Sequence, residues 1–550
     1  MEGSRLTPEM VGVYTQRGRW SHRLLHDYLW QYAEERPEHT AVVGPARGGT
    51  GQVRLCYKAL RGEVEELARA LVALELGPGD IVSVQLPNWY EFLVATLAVS
   101  RIGAVLNGVT PVYRQHELRF ILGRTASKVF IIPSRFRDFD YVEMISELRS
   151  DLPALRHIVV VDERAPREML SFDQLLGLGR DGALSKVSPG PGSANDLVQV
   201  AFTSGTTGEP KGVMHTHNTL LATVRAVIDH IGIRPEQVNL VISPVGHQTG
   251  FLWGLLVTLM TGGTCIFQDR WDPAVAVEMI SREGVTTIAG ATPFLRDLTY
   301  APNLAPEKVK TLQTFITAGA PIPSVVAQDA VTRLGCKVHS AWGMTEYGIG
   351  TAVGEGDPEE KAATSDGRPV PGAEIRVVDE QGRPAAPSQE GDLQIRGPGL
   401  FAGYYKRPDL TENSFSPDGF LRTGDRARED REGFIRLMGR TKDIIIRGGE
   451  KISVAEIEEM LYAHPKIKDV AIVAMPHERL GEQACAFVVL KGEVGGLNLG
   501  ELTDFLLRKQ IAKQKLPERL QVIPELPRTV TGKVQKFKLR EEIARKVREE

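Results

Sequence analysis

One short loop near the middle of the chain carries the residue types that bind polyphosphate. Residues 202–212 read F-T-S-G-T-T-G-E-P-K-G, which places four hydroxyls, three glycines and one lysine within eleven residues. Glycines leave backbone N–H groups accessible, and the hydroxyls and Lys211 add donors and a positive charge. The spacing G-x-x-G-x-x-K differs from the Walker pattern, and Pro210 argues against a lysine at a helix start. The alternative is an ordinary polar surface turn.

Apolar segments of strand length surround this loop and predict two sets of parallel strands. The first set comprises residues 41–43, 80–86, 103–106, 127–132 and 157–162; the loop follows a strand at 197–202; the second set comprises 240–243, 264–267, 286–290, 314–317 and 337–341. Helical patterns alternate with them, for example at residues 60–73. Such alternation predicts an α/β fold of two doubly wound subdomains, with parallel sheets covered on both faces.

The pattern of predicted secondary structure changes after residue 365. Short strands separated by Pro/Gly turns, at 374–378, 392–396 and 434–437, predict a small β-barrel or antiparallel sheet. A compact α+β pattern then begins and ends in a basic tail. We therefore predict an N-terminal domain over residues 1–438 and a smaller, mobile C-terminal domain over residues 439–550.

Four polar segments follow strands of the predicted parallel sheets. They are the loop at 202–212, His247 after strand 240–243, residues 318–321 after strand 314–317, and residues 342–346 after strand 337–341. Ligands of doubly wound sheets bind beyond the C-terminal ends of strands, so one shared site is expected. Taken alone, a buried histidine or tryptophan is usually a core residue, and that alternative remains for His247 and Trp342.

Composition excludes several classes of protein. A formal charge of −3 over 550 residues gives no support for general nucleic-acid binding. The four cysteines are scattered, which disfavours disulfides and zinc sites and fits a cytoplasmic protein. No signal peptide is recognisable, and the apolar runs at 92–109 and 250–267 are interrupted by Arg101 and by glycines, so no transmembrane segment is predicted. A homodimer is left open.

Taken together with R-T-G-D at 422–425, G-R-T-K-D at 439–443 and P-R-T-V-T-G-K-V at 527–534, these segments resemble the adenylate-forming superfamily. That superfamily holds acyl-CoA synthetases, peptide-synthetase adenylation domains and beetle luciferases. The motifs P-V-G-H-Q-T-G-F at 244–251 and G-A-T-P-F at 290–294 are similar to cyclohexanecarboxylate and short/medium-chain fatty-acid CoA ligases. The resemblance implies activation of a carboxylic acid by ATP and Mg²⁺, followed by transfer of the acyl group to coenzyme A.

The resemblance also implies roles for the first half-reaction. Lys533 bridges the carboxylate and the α-phosphate, Thr345 contacts the α-phosphate, and Glu346 holds Mg²⁺. The pyrophosphate end of ATP is held by Thr203, Ser204, Gly205, Thr206, Thr207, Gly208 and Lys211, and the nucleoside by Gly319, Ala320, Pro321, Trp342, Asp425 and Arg440. Alternatives remain for three of them: a solvated basic end for Lys533, a helix-terminal carboxylate for Glu346 and core packing for Trp342.

For the second half-reaction, the resemblance implies rotation of the C-terminal domain about Lys442. The pantetheine path would then be lined by Arg447, Gly448 and Gly449. His247 lies between the acyl and nucleotide pockets, and the acyl pocket is lined by Thr249, Gly250, Ala291, Thr292, Gly343 and Met344. The sequence shows no general base for the thiol.

The segment at 244–250 contains no acidic residue that could bind the amino group of an amino-acid substrate. An apolar acid is therefore the favoured substrate. Burial of each methylene of the acid contributes only about 0.8 kcal/mol to binding, so we expect the enzyme to accept acids of several chain lengths. The runner-up is an acyl-AMP ligase that loads a carrier-protein pantetheine. A non-catalytic nucleotide-binding module would require loss of a key residue, yet Lys211, Glu346, Asp425, Arg440 and Lys533 are all present.

Overall fold

The structure of the chain is a computed structural model. It describes residues 4–46, 51–162, 165–181, 192–203, 210–319, 322–440, 443–447, 450–452, 454–478, 480–492, 496–509, 511, 513–529 and 532–549. None of the helices in these ranges combines the length and the continuous apolar sequence needed to cross a membrane.

The helices of the described residues are α1 (Pro8–Gln16), α2 (Asp27–Glu35), α3 (Tyr57–Ala73), α4 (Tyr90–Arg101), α5 (Gln115–Thr125), α6 (Tyr141–Leu148), α7 (Phe172–Asp181), α8 (His217–Ile231), α9 (Val257–Thr261), α10 (Pro273–Glu283), α11 (Thr292–Thr299), α12 (Pro306–Val309), α13 (Ser324–Leu334), α14 (Lys361–Thr364), α15 (Pro408–Asn413), α16 (Val454–Tyr462), α17 (Leu499–Arg508) and α18 (Lys536–Glu549).

The strands are β1 (Thr40–Pro45), β2 (Gln52–Cys56), β3 (Ile81–Val84), β4 (Val105–Gly108), β5 (Val129–Pro133), β6 (Arg135–Phe136), β7 (Phe139–Asp140), β8 (His157–Val161), β9 (Leu170–Ser171), β10 (Leu197–Thr203), β11 (Lys211–Thr216), β12 (Val238–Val241), β13 (Thr264–Phe267), β14 (Thr287–Gly290), β15 (Thr314–Thr317), β16 (Lys337–Met344), β17 (Gly348–Ala352), β18 (Arg368–Pro369), β19 (Glu374–Val378), β20 (Gly391–Arg396), β21 (Gly403–Tyr404), β22 (Leu421–Glu429), β23 (Ile435–Arg440), β24 (Ile445–Arg447), β25 (Glu450–Ile452), β26 (Ile467–His477), β27 (Gly481–Leu490) and β28 (Arg519–Val522).

Two large sheets form the N-terminal part of the molecule. One has eight strands in the order β21-β11-β10-β4-β3-β5-β8-β9, and the other has nine in the order β18-β17-β16-β15-β14-β12-β13-β1-β2. Their central strands pair in parallel and are apolar and buried, as in β3, β5 and β13, because helices cover both faces. The predicted doubly wound α/β architecture is confirmed.

Three local predictions require correction. The strand predicted at 240–243 ends at Val241, two residues early. The strand predicted at 337–341 continues to Met344, because β17 folds back and pairs with it in antiparallel register from Ala341. The basic tail forms helix α18, which buries Leu539 and Ile543 and therefore belongs to the folded core.

The remaining strands form two smaller sheets. Strands β19, β20, β22 and β23 pair in that order as an antiparallel sheet, the second of the two predicted forms for this region. The C-terminal unit has the sheet order β25-β24-β27-β26, with β28 paired in parallel to β27. This sheet has its own apolar clusters on both faces, so the C-terminal unit has a separate core.

Candidate active site

The predicted phosphate loop joins two antiparallel strands. Thr203 ends β10 and lies opposite Lys211, which begins β11, in the hairpin register. Lys211 thus stands at the start of a strand, consistent with a design unlike the Walker loop. The predicted residues Ser204, Gly205, Thr206, Thr207 and Gly208 lie outside the described residues.

Tyr404 connects Lys211 to Glu346. The Lys211 ammonium nitrogen lies 5.0 Å from the centroid of the Tyr404 ring, and the Tyr404 hydroxyl donates a 2.8 Å hydrogen bond to Glu346 Oε1. Burial and the nearby Glu346 carboxylate raise the pKa of Tyr404, so the phenol keeps its proton. Pairing of β21 with β11 brings Tyr404 to this place. Sequence reasoning missed Tyr404 because no local motif marks it.

His215 fixes the backbone immediately before Glu346. Its Nε2 donates a 2.8 Å hydrogen bond to the Thr345 carbonyl oxygen, and its Nδ1 is 3.1 Å from Thr219 Oγ1. Burial lowers the pKa of His215 to about 4, so the ring is neutral and acts as a positioning group. His215 lies on β11, a strand that was not predicted, and no motif in the sequence indicated this role.

Glu346 is the residue predicted to hold a magnesium ion. It is 8% exposed, and no cluster of three or more histidine, cysteine, aspartate or glutamate side chains suited to a metal occurs among the described residues. Mg²⁺ prefers oxygen ligands and keeps several waters, and it needs only one or two carboxylates when phosphates supply the rest. A single buried carboxylate beside the phosphate hairpin fits that requirement.

Trp342 and Asp425 form a buried hydrogen-bonded pair. The indole Nε1 donates to Asp425 Oδ2 at 2.9 Å, and Asp425 is paired in the backbone register with Arg440 across β22 and β23. The Trp342 ring packs on Gly350, where a Cβ would approach the ring to 2.8 Å. Strands β16 and β22 therefore bring together an indole and a carboxylate that were both predicted to bind the nucleoside.

The segment after β16 differs from its predicted loop form. Trp342, Gly343 and Met344 are strand residues, whereas Thr345 and Glu346 lie with Tyr347 in the turn between β16 and β17. Gly343 permits the hairpin because a Cβ there would lie 2.2 Å from the Gly348 carbonyl oxygen. Gly319 follows β15 with a φ of +87°, a conformation that favours glycine. Ala320 and Pro321 lie outside the described residues.

His247 lies at the point where the two large sheets meet. Its loop contacts the loop after β4, since a Cβ on Gly246 would lie 2.5 Å from the Val109 carbonyl oxygen. The Thr249 backbone N–H donates to His247 Nδ1 at 3.2 Å, which leaves the ring proton on Nε2. Burial and the positive charge of Lys533 lower the pKa of His247 to about 4. His247 is therefore a neutral N–H donor near neutral pH.

Lys533 comes from the C-terminal unit and reaches this same region. Its own backbone N–H donates to Thr529 Oγ1 at 3.1 Å, and Thr529 N–H donates to the Lys533 carbonyl at 2.7 Å, which closes a tight turn. Gly532, with a φ of +79°, packs so closely on Pro293 that a Cβ would approach its ring to 2.8 Å. The predicted lysine and the predicted acyl-site loops are thus brought together.

Of the three residues predicted for the pantetheine path, the structure describes Arg447. Arg447 on β24 forms an ion pair of 2.6 Å with Glu518 inside the C-terminal unit. Lys442, Gly448 and Gly449 lie outside the described residues. The turn that carries Lys533 therefore packs on the loop after β14, whereas Arg447 is held by Glu518.

Two family models and several curated proteins match the chain along most of its length. The family model for AMP-binding enzyme matches residues 29–405, and that for AMP-binding enzyme C-terminal domain matches residues 456–533. The medium-chain fatty-acid–CoA ligase of Escherichia coli K12 is 38% identical over 97% of this chain and 93% of its own. A salicyl-AMP ligase/salicyl-S-ArCP synthetase of Mycobacterium tuberculosis is 33% identical over 96% of this chain and 92% of its own.

Solved structures show the same fold. ATP-bound MatB from Rhodopseudomonas palustris superimposes with a TM-score of 0.84 at 27% identity, covering 94% of this chain and 99% of that chain. The match extends over both the N-terminal part and the C-terminal unit.

Proposed function

The chain belongs to the AMP-binding enzymes, and on that premise we propose that it is an ATP-dependent acid–CoA ligase that forms AMP. The observation that carries the proposal is the packing of Gly532 on Pro293, which brings the neighbouring Lys533 of the C-terminal unit to the loop after β14. This contact supports the use of Lys533 as the cation of the first half-reaction, with His247 as a neutral N–H donor.

In the first half-reaction, a carboxylate oxygen of the acid forms a bond to the α-phosphorus of ATP. The bond between the α-phosphorus and the bridging oxygen breaks, and pyrophosphate leaves with that electron pair. Two anions approach each other in this step, so fixed positive charge and N–H donors stabilise the transition state. Lys533 supplies the charge at the carboxylate and α-phosphate, and Lys211 supplies it at the leaving group.

Glu346 would hold the magnesium ion, with Tyr404 keeping its carboxylate in place. When bound, the ion supplies charge neutralisation to the phosphates. His215 fixes the Thr345 backbone so that the Thr345 side chain and the Glu346 carboxylate enter the site from one short turn.

Asp425 would accept hydrogen bonds from the ribose hydroxyls, each worth about 1.5–3 kcal/mol because the acceptor is charged. The indole N–H of Trp342 occupies one side of that carboxylate and orients it. Arg440 stands beside Asp425 in the backbone register and is assigned to the ribose or phosphate. Gly319, Ala320 and Pro321 would leave space for the base.

In the second half-reaction, a thiol sulfur forms a bond to the acyl carbon, the bond from that carbon to the AMP oxygen breaks, and the thiol proton passes to solvent. Lys533 must leave the site for pantetheine to enter. The domain comprising residues 439–550 would rotate about Lys442 and bring Arg447, Gly448 and Gly449 to the pantetheine path. Arg447 would have to leave its ion pair with Glu518 before its guanidinium could line the pantetheine path.

The acid would be an apolar short/medium-chain or alicyclic acid, and the acceptor coenzyme A. The support is the E. coli medium-chain fatty-acid–CoA ligase at 38% identity, together with the absence of an acidic residue in segment 244–250. The second candidate is an acyl-AMP ligase that loads a carrier protein. It is supported by the salicyl-S-ArCP synthetase at 33% identity, whose named acid is a hydroxybenzoate. A cytoplasmic location is proposed for either enzyme.

A panel of carboxylic acids, assayed with ATP and Mg²⁺, tests both candidates. Parallel reactions would contain CoA, a phosphopantetheinylated carrier protein, or neither thiol. The proposed ligase releases AMP and forms acyl-CoA in equal amounts only when CoA is present. Acyl-AMP formation with transfer to the carrier protein alone would favour the second candidate. Absence of acyl-AMP for every acid would contradict both.

A further inference from the structure

A groove between the N-terminal segment and helix α15 has a volume of about 630 Å³. Its lining comes from the N-terminal segment, α15, β22 and the turn between them, and includes Ser4, Arg5, Pro408, Glu412, Phe415 and Arg422. Pockets that hold small molecules span about 300–1,000 Å³, so the groove is large enough for one. Apart from Arg422, these residues belong to none of the motifs assigned to the ATP site.

Arg5 brings an unpaired guanidinium to this groove. Among the described residues the group takes part in no hydrogen bond or ion pair, and its Nη1 atom is buried without a partner. The guanidinium interacts with the Phe415 ring, whose centroid lies 4.6 Å from Arg5 Cζ, and with the Tyr14 phenol. Burial raises the pKa of Tyr14, so the phenol keeps its proton and does not neutralise the cation.

The backbone of Arg5 holds this side chain next to a strand of the ATP site. The Arg5 N–H donates to the Ala402 carbonyl at 2.8 Å, and Ala402 lies just before β21. Tyr404, on β21, donates from its backbone N–H to Oγ1 of the groove residue Thr411 at 2.9 Å. The groove therefore adjoins the strand that carries Tyr404, although Glu346 is not part of its lining.

A largely buried guanidinium without a counter-ion is unfavourable. Burial lowers the pKa of Arg5, because desolvation disfavours the charged form. The face of the Phe415 ring attracts the cation, but it offers no oxygen acceptor to the five N–H donors of the guanidinium. Since buried charges in proteins are normally paired, the unpaired cation at the wall of a groove indicates an anionic ligand.

We propose that the groove is a binding site for a small oxyanion, a phosphate or carboxylate group held by the Arg5 guanidinium. The planar fork of arginine donates two parallel hydrogen bonds to either group. Arg422 contributes a second positive charge to the lining, and its Nη1 is held by the carbonyls of Asn413 and Phe415. Glu412 contributes one carboxylate, so the lining keeps a net positive charge.

Thermal unfolding of the full chain tests this site. Inorganic phosphate and succinate are titrated separately at constant ionic strength, with excess α,β-methylene-ATP present to occupy the nucleotide site. Binding to the folded state raises the unfolding midpoint as a site fills, whereas the general stabilising effect of a salt shows no such saturation. Arg5→Met removes the cation, and Arg5→Lys keeps the charge but loses the fork. Arg17→Met is the matched control, because Arg17 is exposed at the end of α1 and is not part of the lining.

In the wild type and in Arg17→Met, at least one of the two anions should raise the midpoint in a saturable way, and the stronger of them identifies the group that is bound. Arg5→Met should weaken the apparent affinity by about tenfold or more, and Arg5→Lys should weaken it less. The nucleotide analogue should still stabilise every variant, which shows that the substitutions leave the fold intact. If neither anion gives a saturable rise in the wild type, or if the Arg5 variants respond as the wild type does, the proposal is overturned.

Discussion

Glu459 accepts two hydrogen bonds from Ser324, one from the backbone N–H at 3.0 Å and one from the hydroxyl at 2.7 Å. Ser324 is the first residue of α13 in the N-terminal part, whereas Glu459 lies on α16 in the C-terminal unit. Arg436 adds a third contact at 3.3 Å. Glu459 thus fastens the C-terminal unit to the N-terminal part in the arrangement that brings Lys533 to His247.

Removing this contact should weaken the first half-reaction selectively. The Glu459 side chain is 32% exposed, so after solvent screening its loss should cost about 1 kcal/mol, or roughly fivefold in rate. In Glu459→Ala, ATP–pyrophosphate exchange should fall by about that factor, while CoA transfer from supplied acyl-AMP is retained. Glu456→Ala is the control, because Glu456 pairs with Lys515 within the C-terminal unit. Equal losses in both half-reactions would rule out a docking role.

The Trp342–Asp425 pair predicts an effect on nucleotide affinity. Trp342→Phe keeps an aromatic ring but removes the N–H that orients the Asp425 carboxylate. A hydrogen bond to a charged group contributes about 1.5–3 kcal/mol, so KM for ATP should rise about tenfold or more, with little change in KM for the acid. Trp20→Phe is a matched control, since Trp20 donates to the Pro398 carbonyl at 3.0 Å. An unchanged KM for ATP would contradict the assignment.

Buried histidines predict loss of stability in mild acid. Burial lowers the pKa of His26, His215, His247 and His339 to about 4 and that of His217 to about 3. Unfolded histidines bind protons near pH 6.5, so the stabilisation is fully present above that pH and is lost as the pH falls toward about 4. At pH 5.5 the loss should be about 1 kcal/mol for each histidine.

Urea unfolding at pH 7.5 and pH 5.5 measures this effect. The midpoint should fall on acidification, and His217→Gln should reduce the fall. His116→Gln provides the control, since His116 is exposed, and it should keep the wild-type dependence. A midpoint that stays constant between the two pH values would show that these histidines are not buried in neutral form.

Local patterns predicted most strands because buried parallel strands are short apolar runs, and β5, β13 and β15 lie almost where they were expected. Partners distant in the chain could not be predicted. Tyr404 reaches Glu346 across 58 residues, and Glu459 reaches Ser324 across 135. Such contacts depend on sheet order and on docking of two units, for which no local spacing gives a signal.

The extension of β16 also depends on the order of strands in the sheet, which the local sequence does not show. A strand was predicted at residues 337–341, but Trp342, Gly343 and Met344 become strand residues only because β17 returns beside them. Gly343 was interpreted as a pocket residue, whereas in the structure its missing side chain allows close approach of the Gly348 carbonyl.

The most direct test of the account measures the two half-reactions separately in Lys533→Ala. Removing one stabilising group for transition-state charge costs about 10²–10³-fold, so ATP–pyrophosphate exchange should fall by about that much. Thioester formation from supplied acyl-AMP and CoA should continue at the wild-type rate. Lys538→Ala, which removes an exposed lysine of α18, should leave both reactions unchanged. Equal loss of adenylation and thioester formation in Lys533→Ala would contradict the role assigned to this lysine.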